Sequence, residues 1–165
     1  MGNPPATALQ DVTGYRGEKI VELCLTDYSA FAAPLFRPAF LGDKWPAVDF
    51  YVELNGVRGR RPYFLIQCKS TAATLPRSAA ALAISSTKRD IRRLLQIPGP
   101  TYLLGVHEPS RRVFAKSVHS GIAARAITRI ESTHELTSTN LWKLYVEVRD
   151  YWQSTQHKPI QSVFA

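Results

Sequence analysis

Two alternating runs constrain the fold of this 165-residue chain more than any other feature. The first covers residues 48–54, and the second, residues 63–70, follows it after a short basic loop. Alternation of apolar and polar residues with a period of two predicts β-strands whose successive side chains point to opposite faces. Because only eight residues separate the runs, we expect two neighbouring strands of one sheet.

The polar residues of the two runs fall at positions that can meet. In the first run the apolar residues expected to share one face are Val48, Phe50, Val52 and Leu54. Asp49 and Glu53 then point to the other face. In the second run Gln67 and Lys69 lie opposite the apolar face formed by Phe64, Ile66 and Cys68. If the strands pair, a carboxylate, an amide oxygen and an ammonium group converge on one polar patch.

Helical and extended patterns surround these strands. Apolar residues recur at helical spacing over 20–28, with Glu18 in the predicted first turn and Glu22 one turn later. We expect an edge strand over 35–40 and a short strand over 82–84. A basic helix over 88–96 would be capped by Ser86 or Thr87. A buried strand over 101–106, a last strand over 113–118 and a helix from Ser138 or Thr139 complete the pattern.

This order predicts an α/β fold, a mixed central β-sheet flanked by α-helices in a single domain. The domain is expected to cover residues 14–153, between a flexible lead-in (1–13) and a C-terminal tail (154–165). No apolar run approaches the ~20 residues of a transmembrane helix, and the N-terminus lacks a secretory signal pattern. Cys24 and Cys68 make neither a disulfide framework nor a zinc site, so buried free thiols in a reducing cytoplasm are expected.

The net charge of +8 is unevenly distributed. Between Leu54 and His107 the only acidic residue is Asp90. The basic residues of that stretch are Arg58, Arg60, Arg61, Lys69, Arg77, Lys88, Arg89, Arg92 and Arg93. Such a one-signed field favours a polyanionic partner, nucleic acid before an anionic membrane, although a solvated surface would also explain it. The candidate nucleic-acid contacts are Arg58, Arg60 and Arg61 of the loop, with Lys88, Arg89, Arg92 and Arg93 of the helix.

The converging polar groups suit a hard divalent cation, Mg²⁺ or Mn²⁺, which prefers oxygen ligands. Asp49 offers a carboxylate, Gln67 its side-chain carbonyl oxygen and Cys68 its backbone carbonyl. Glu18 could complete the site directly or through water, and Lys69 could hold the attacking water. Taken singly, Asp49 could be a solvated carboxylate, Glu18 a helix-dipole residue and Lys69 a charge that protects an edge strand.

The arrangement resembles the PD-(D/E)xK nuclease superfamily, the restriction-endonuclease-like fold. Its motifs correspond here to Gly17-Glu18, Ala47-Val48-Asp49-Phe50 and Gln67-Cys68-Lys69. The Gln-x-Lys form is similar to the branch with Mrr-type enzymes, and to small bacterial domains ending in Gln-x-Lys-Ser-Thr. Two positions depart from the pattern. Ala47 stands two residues before Asp49, so the Pro-Asp pair is absent, and Gln67 replaces an acid, which should weaken metal affinity.

The resemblance implies a metal-dependent endonuclease acting on DNA, in bacterial restriction, defence or DNA processing. A homodimer would allow two sites to cut two strands. Two alternatives stay open: a nucleic-acid-binding module that keeps the fold with a weakened site, and an RNA-cleaving effector. The four histidines show no metal-ligand spacing, and the sequence contains no glycine-rich phosphate loop.

Overall fold

The computed structural model describes residues 6–42, 45–76, 78–119 and 123–155. The helices are α1 (Ala6–Thr26), α2 (Lys88–Leu95) and α3 (Ser138–Ser154). The strands are β1 (Phe36–Phe40), β2 (Phe50–Leu54), β3 (Tyr63–Thr71), β4 (Ala81–Ser86), β5 (Thr101–His107), β6 (Arg112–Val118) and β7 (Ile127–Glu131). A short 3-10 helix, Ser132–His134, precedes α3.

Five strands form one mixed sheet in the order β1-β2-β3-β5-β6. The pairs β1–β2, β2–β3 and β5–β6 are antiparallel, whereas β3 and β5 are parallel, with Lys69 opposite Gly105. A parallel pair needs a crossover connection, and here β4 and α2 provide it. Strands β4 and β7 form a second, antiparallel sheet of two strands.

The central sheet is covered on both faces. Phe64 and Ile66 of β3 belong to the cluster that includes residues of α1 and α3, such as Val21 and Leu144. Leu65 lies in a second cluster, whose buried members are Val48, Leu65, Ile91, Leu94, Leu103 and Val118. Ile91 and Leu94 belong to α2, so α2 covers the face of β3 opposite to α1. The small β4–β7 sheet packs on the same side through Leu82, Phe114 and Ile130.

The predicted fold class is confirmed: this is a mixed α/β domain with helices on both faces of a central sheet. Strand β5 is buried along its whole length, as its unbroken apolar run predicts. Thr87 caps α2, because its hydroxyl accepts from the Asp90 N–H while the Asp90 carboxylate accepts from the Thr87 N–H. Within the described residues, no helix has both the length and the apolar character for a bilayer crossing.

Helix α1 is longer than the sequence pattern predicts. It begins at Ala6, so residues 6–13, expected as a lead-in, are helical and Gly14 and Gly17 lie inside the helix. Gly17 is required by packing rather than by a turn, because a Cβ there would lie 2.5 Å from the Ser70 hydroxyl oxygen. Glu18 is consequently far from the first turn, and the helix-dipole explanation for it is wrong. Residues 1–5 and 156–165 of the expected lead-in and tail lie outside the described residues.

The predicted face of Val48 is also wrong. Val48 packs with Leu65 and Ile91, on the side opposite to Phe50. Phe50 stands opposite Ile66 in the β2–β3 register, yet the Asp49 N–H also donates to the Ile66 carbonyl, at 2.8 Å. Two successive residues facing one partner form a β-bulge, which reverses the side-chain alternation at this point. Strand β7 was not predicted; the sequence pattern ended the strands at β6.

Candidate active site at the end of the β2–β3 pair

Asp49 occupies the point where β2 separates from β3. Its carboxylate Oδ2 accepts from the Cys68 N–H at 2.5 Å, so a side chain takes the place of the next ladder partner. The backbone of Asp49 is held on both sides, because its N–H donates to Ile66 and its carbonyl accepts from the Leu41 N–H at 2.9 Å. Asp49, whose residue is half-buried, is thus held by three hydrogen bonds to two segments of chain, β3 and the residue that follows β1.

The backbone carbonyl of Cys68 faces the same edge as this carboxylate. A strand residue directs its N–H and C=O to one edge, and alternate residues serve the two neighbouring strands. The N–H of Leu65 donates toward β5, to the Pro100 carbonyl at 3.0 Å, whereas the Cys68 N–H donates to Asp49. The carbonyl oxygen of Cys68 therefore points toward Asp49, beyond the last β2–β3 residue pair.

Gln67 is buried, with 4% of its surface exposed, on the face covered by α2. Its side-chain oxygen Oε1 makes no hydrogen bond. Among the buried side-chain oxygens and nitrogens of the described residues, only Ser86 Oγ likewise lacks a hydrogen bond. An unpartnered buried acceptor costs about 1–3 kcal/mol of folding free energy. Such an atom indicates a missing partner, for example a bound ion.

Lys69 lies two residues further along β3 and is half-buried on the same strand face as Gln67. Its position relative to α2 follows from Asp90 in the first turn of that helix. Burial alone would raise the pKa of Asp90, but hydrogen bonds with Thr87 and the positive charge of Lys69 lower it. The positive charge of Lys69 therefore acts on the first turn of α2. The sequence prediction that Gln67 and Lys69 share one face agrees with this placement.

Glu18 approaches the site from α1. Because Gly17 lacks a side chain, α1 lies directly against Ser70 of β3, and Glu18 is the next residue of the helix. The Ser70 hydroxyl also donates to the Thr13 carbonyl at 3.0 Å, which fixes the helix against the strand. Glu18 lines a cavity of about 100 Å³ together with Tyr15, Lys19, Glu22, Phe40 and Phe50.

The charges of three predicted site residues act on the Cys68 thiol. Burial raises the pKa of the Cys68 thiol, and the negative charges of Asp49 and Glu18 raise it further, while Lys69 acts in the opposite direction. A neutral thiol at this position does not compete as a soft metal ligand. Burial likewise raises the pKa of Cys24 to about 12.

The donor set consists of oxygens: the carboxylates of Asp49 and Glu18, the Gln67 amide oxygen and the Cys68 carbonyl. Oxygen donors suit Mg²⁺ or Mn²⁺, and the unpartnered Gln67 Oε1 provides an acceptor for such a cation. No group of three His, Cys, Asp or Glu side chains is arranged as metal ligands in the described part of the chain. The set is therefore weaker in charge than a site with three carboxylates.

The predicted basic residues divide into two places. The exposed residues Lys88, Arg89 and Arg92 and the half-buried Arg93 belong to α2, whose first turn is near Lys69. Arg58, Arg60 and Arg61 lie in the β2–β3 hairpin loop, at the opposite end of these strands. The five residues of β2 separate Asp49 from that loop, a length of about 17 Å along a strand.

Arg60 is also committed to a structural contact. Its guanidinium donates to the Trp152 carbonyl at 2.6 Å and to the Thr155 carbonyl at 3.3 Å, at the C-terminal end of α3. Sequence reasoning missed the aromatic residues near the site, Tyr15, Phe40 and Trp45. The sequence pattern assigned them no role, and their solvent exposure is a signal that only the structure provides.

Comparisons with known proteins give little beyond this geometry. No protein-family model matches the chain, and no curated protein matches it at a significant level. Among solved structures, the chain is similar to a bacterial homing endonuclease, I-Ssp6803I, with a TM-score of 0.49 and 10% sequence identity. The alignment covers 94% of this chain and 100% of that chain.

Proposed function

We propose that this protein is a metal-dependent endonuclease that hydrolyses phosphodiester bonds of nucleic acid, DNA in preference to RNA. One observation carries the proposal: the unpartnered Oε1 of buried Gln67, next to Cys68, whose N–H binds the Asp49 carboxylate. A glutamine that served only packing would be replaced by an apolar residue at little cost. A cation that takes this oxygen as a ligand would supply the partner that the buried acceptor lacks.

Each residue has a distinct role in the proposed reaction. Mg²⁺ or Mn²⁺ would be held by Asp49, Gln67 Oε1 and the Cys68 carbonyl. Glu18 would complete the site, either directly or through a water molecule. When bound, the ion would neutralise phosphate charge and lower the pKa of a bound water. Lys69, on the same strand face as Gln67, orients the attacking water and offsets the charge that develops on the phosphate.

The basic face of α2 supports a polyanionic substrate. The four residues of that face are Lys88, Arg89, Arg92 and Arg93. Because the first turn of α2 is near Lys69, phosphates that contact this face lie beside the candidate metal ligands. Such contacts hold the backbone without reading sequence. Specificity would then be low, or would come from a partner or a second copy of the chain.

The order of site-bearing elements also supports the proposal. A helix with Glu18, a strand entered through Asp49 and a strand with Gln67 and Lys69 follow in the order of the PD-(D/E)xK superfamily, which the sequence resembles. A role in bacterial restriction, defence or DNA processing follows from that resemblance and is part of the proposal.

The test is a cleavage assay with a variant that keeps the fold. Asp49→Asn preserves an acceptor for the Cys68 N–H and removes only the charge, whereas Asp49→Ala would also disturb the strand pair. We expect nicking of DNA with Mg²⁺ or Mn²⁺ that is lost with chelator, in Asp49→Asn and in Lys69→Ala. Glu53→Gln, a neutralised carboxylate on the same strand but away from the site, should keep full activity.

A second candidate is a nucleic-acid-binding module with the same fold. It is favoured by the composition of the site, because no three His, Cys, Asp or Glu side chains form a metal-ligand group among the described residues. Binding of nucleic acid without metal-dependent cutting, unchanged in Asp49→Asn, would support this module and contradict the enzyme. Preference for RNA in the same assay would support the RNA-cleaving alternative.

A further inference from the structure

Three exposed aromatic side chains lie on the segments that form the candidate site. The large apolar side chains with the highest exposure in the described chain are Val12, Tyr15, Leu23, Tyr28, Phe40, Trp45, Trp142 and Tyr151. Three of them, Tyr15, Phe40 and Trp45, have 62%, 51% and 56% of their surface exposed. All three lie on elements that lead to Asp49 or carry Glu18.

Phe40 ends β1, directly beside Asp49. It stands opposite Phe50 in the β1–β2 register, and the next residue, Leu41, donates its N–H to the Asp49 carbonyl. The Phe40 ring packs on Phe50, with centroids 5.3 Å apart. Half of the Phe40 residue surface remains open to solvent although a large apolar core lies next to it.

Tyr15 and Trp45 lie on two further segments of the site. Tyr15 lies one turn before Glu18 on α1 and lines the same cavity as Glu18 and Phe40. Trp45 begins the turn that enters Asp49, since its carbonyl accepts from the Val48 N–H at 3.2 Å. We call Tyr15, Phe40 and Trp45 the aromatic rim.

Positive charge accompanies the aromatic rim. The ammonium group of Lys19 is 6.0 Å from the centroid of the Tyr15 ring, and Arg16 is more than half exposed beside it. Both cations have acidic partners, Glu22 and Glu108, so they contribute a polar border rather than a strong field. The strong field comes from α2, on the other side of the site.

We infer that the site takes a nucleic-acid strand whose bases are unpaired next to the cleaved phosphate, with those bases stacked on the aromatic rim. This inference rests on the proposed function and adds the substrate class. Exposed rings bordered by cations bind single strands because every base has a face that can stack, and each stacked base contributes substantially to affinity. In a duplex those faces are already covered, so a blunt duplex cannot use the rim.

The test measures binding, separately from cleavage. Fluorescence anisotropy with chelator present compares a labelled single strand of twenty nucleotides with a blunt hairpin duplex, both bound to Asp49→Asn protein. We expect the single strand to bind at least about tenfold more tightly. Adding Tyr15→Ala or Trp45→Ala should weaken single-strand binding about tenfold each and leave duplex binding unchanged. Phe40→Leu, which keeps an apolar contact with Phe50, should act in the same direction.

Matched controls are available on the same molecule. Tyr28 and Trp142 are 60% and 47% exposed, and neither borders the cavity that Glu18 lines. Tyr28→Ala and Trp142→Ala should leave single-strand binding unchanged, and Trp45→Phe should retain most of it. Equal affinity for the single strand and the duplex, or equal losses in controls and rim variants, would overturn the inference.

The outcome is distinguishable from failure of the proposed function. If the wild-type protein cuts blunt duplex with metal and shows no preference for single strands, the endonuclease stands and the aromatic rim is not a substrate contact. If single-strand binding depends on the rim but no substrate is cut with Mg²⁺ or Mn²⁺, the rim is a base-binding surface and the endonuclease proposal fails. In that case the protein is the binding module described above.

Discussion

At the scale of single residues, Gln67 and Asp49 are polar groups placed inside an apolar sheet. The buried acceptor of Gln67 has no donor, whereas the carboxylate of Asp49 accepts a backbone N–H at 2.5 Å. Removing the Gln67 amide should therefore relieve a desolvation cost, while removing the Asp49 acceptor should create one. The two residues thus affect stability in opposite directions although the proposed reaction needs both.

Gln67→Leu is expected to stabilise the fold and abolish cleavage. The substitution removes an unpartnered buried acceptor and fills the space with an apolar side chain, so we expect a gain of about 1 kcal/mol in the free energy of unfolding. Urea denaturation measures it. Gln153→Leu, on the exposed side of α3, should change stability by less than ~0.5 kcal/mol. A loss of stability in Gln67→Leu would show that the amide has a structural partner.

The sequence predicted which residues are close to one another but not the detail at Asp49. The period-two pattern placed Gln67 and Lys69 together, and the structure agrees. The bulge at Asp49 has no such signal, because Val48, Phe50 and Val52 continue the alternation without interruption. Backbone hydrogen bonds to Ile66 and Leu41 decide it, and these are tertiary contacts.

At the scale of elements, α1 shows why local pattern alone misplaces a helix end. Two glycines within four residues predicted a break, since glycine is about 1 kcal/mol less favourable than alanine in a helix interior. Helix α1 continues through Gly14 and Gly17. The close approach of Ser70 explains why a residue without a side chain stands at position 17. Packing against β3 thus outweighs helix propensity.

Gly17→Ala and Gly14→Ala are expected to have opposite effects. A Cβ at Gly17 would lie 2.6 Å from Ser70 Cβ, so we expect destabilisation of about 1–3 kcal/mol. At Gly14 nothing lies within 4 Å of an added Cβ, and the same change should stabilise by up to ~1 kcal/mol. Thermal unfolding of both variants checks this, and Ser70→Gly should partly rescue Gly17→Ala. Equal shifts at the two positions would contradict the close contact.

Arg60 is expected to behave as a helix-end residue. Because its guanidinium donates to carbonyls at the end of α3, Arg60→Ala should destabilise by about 1 kcal/mol. Arg58→Ala, in the same loop, should leave the free energy of unfolding within ~0.5 kcal/mol of wild type. Chemical denaturation distinguishes them. Equal free energies of unfolding for the two variants would show that Arg60 is a solvated cation without a structural role.

Most elements were predictable because their signals are local. The Thr87 cap of α2 and the apolar run of β5 require only neighbouring residues. Strand β7 was missed because Ile130 is its one buried residue and its partner β4 lies more than 40 positions earlier. Pairing between segments that are distant in sequence cannot be predicted from the pattern of five consecutive residues.

At the scale of the whole molecule, positive charge is placed at both ends of the β2–β3 pair. The cations of α2 are near the site, and those of the hairpin loop are at the far end. The sequence predicted the excess of charge but not this division, because it depends on the direction of the strands. A bound nucleic acid should therefore depend on α2 more than on the loop.

Arg92→Ala is expected to reduce the salt dependence of nucleic-acid binding. Each phosphate contact contributes a slope of about −0.9 for duplex DNA, or about −0.7 for single strands, to log K against log salt. Losing one contact should reduce the slope by that amount. Arg129→Ala, which removes another exposed arginine, on β7, should leave it unchanged. Binding titrations at several salt concentrations measure this slope. Identical slopes for wild type and Arg92→Ala would show that Arg92 of α2 does not contact the bound phosphates.

The site itself joins three elements that are distant along the chain. The charges of Glu18, Asp49 and Lys69, which the motif order predicted to be close together, all act on the Cys68 thiol. What the order could not supply is the helix–strand contact at Gly17, which needs the three-dimensional packing of α1 on β3.

The threefold attachment of Asp49 has a consequence for how a cation would be captured. A carboxylate that is held by the Cys68 N–H, on a backbone fixed by Ile66 and Leu41, loses little rotational freedom when it becomes a ligand. Affinity at such a centre is then governed by the number of negative charges, not by the entropy of arranging them. One added acid beside a ligand that is already oriented would therefore tighten capture more than any further stiffening of the scaffold.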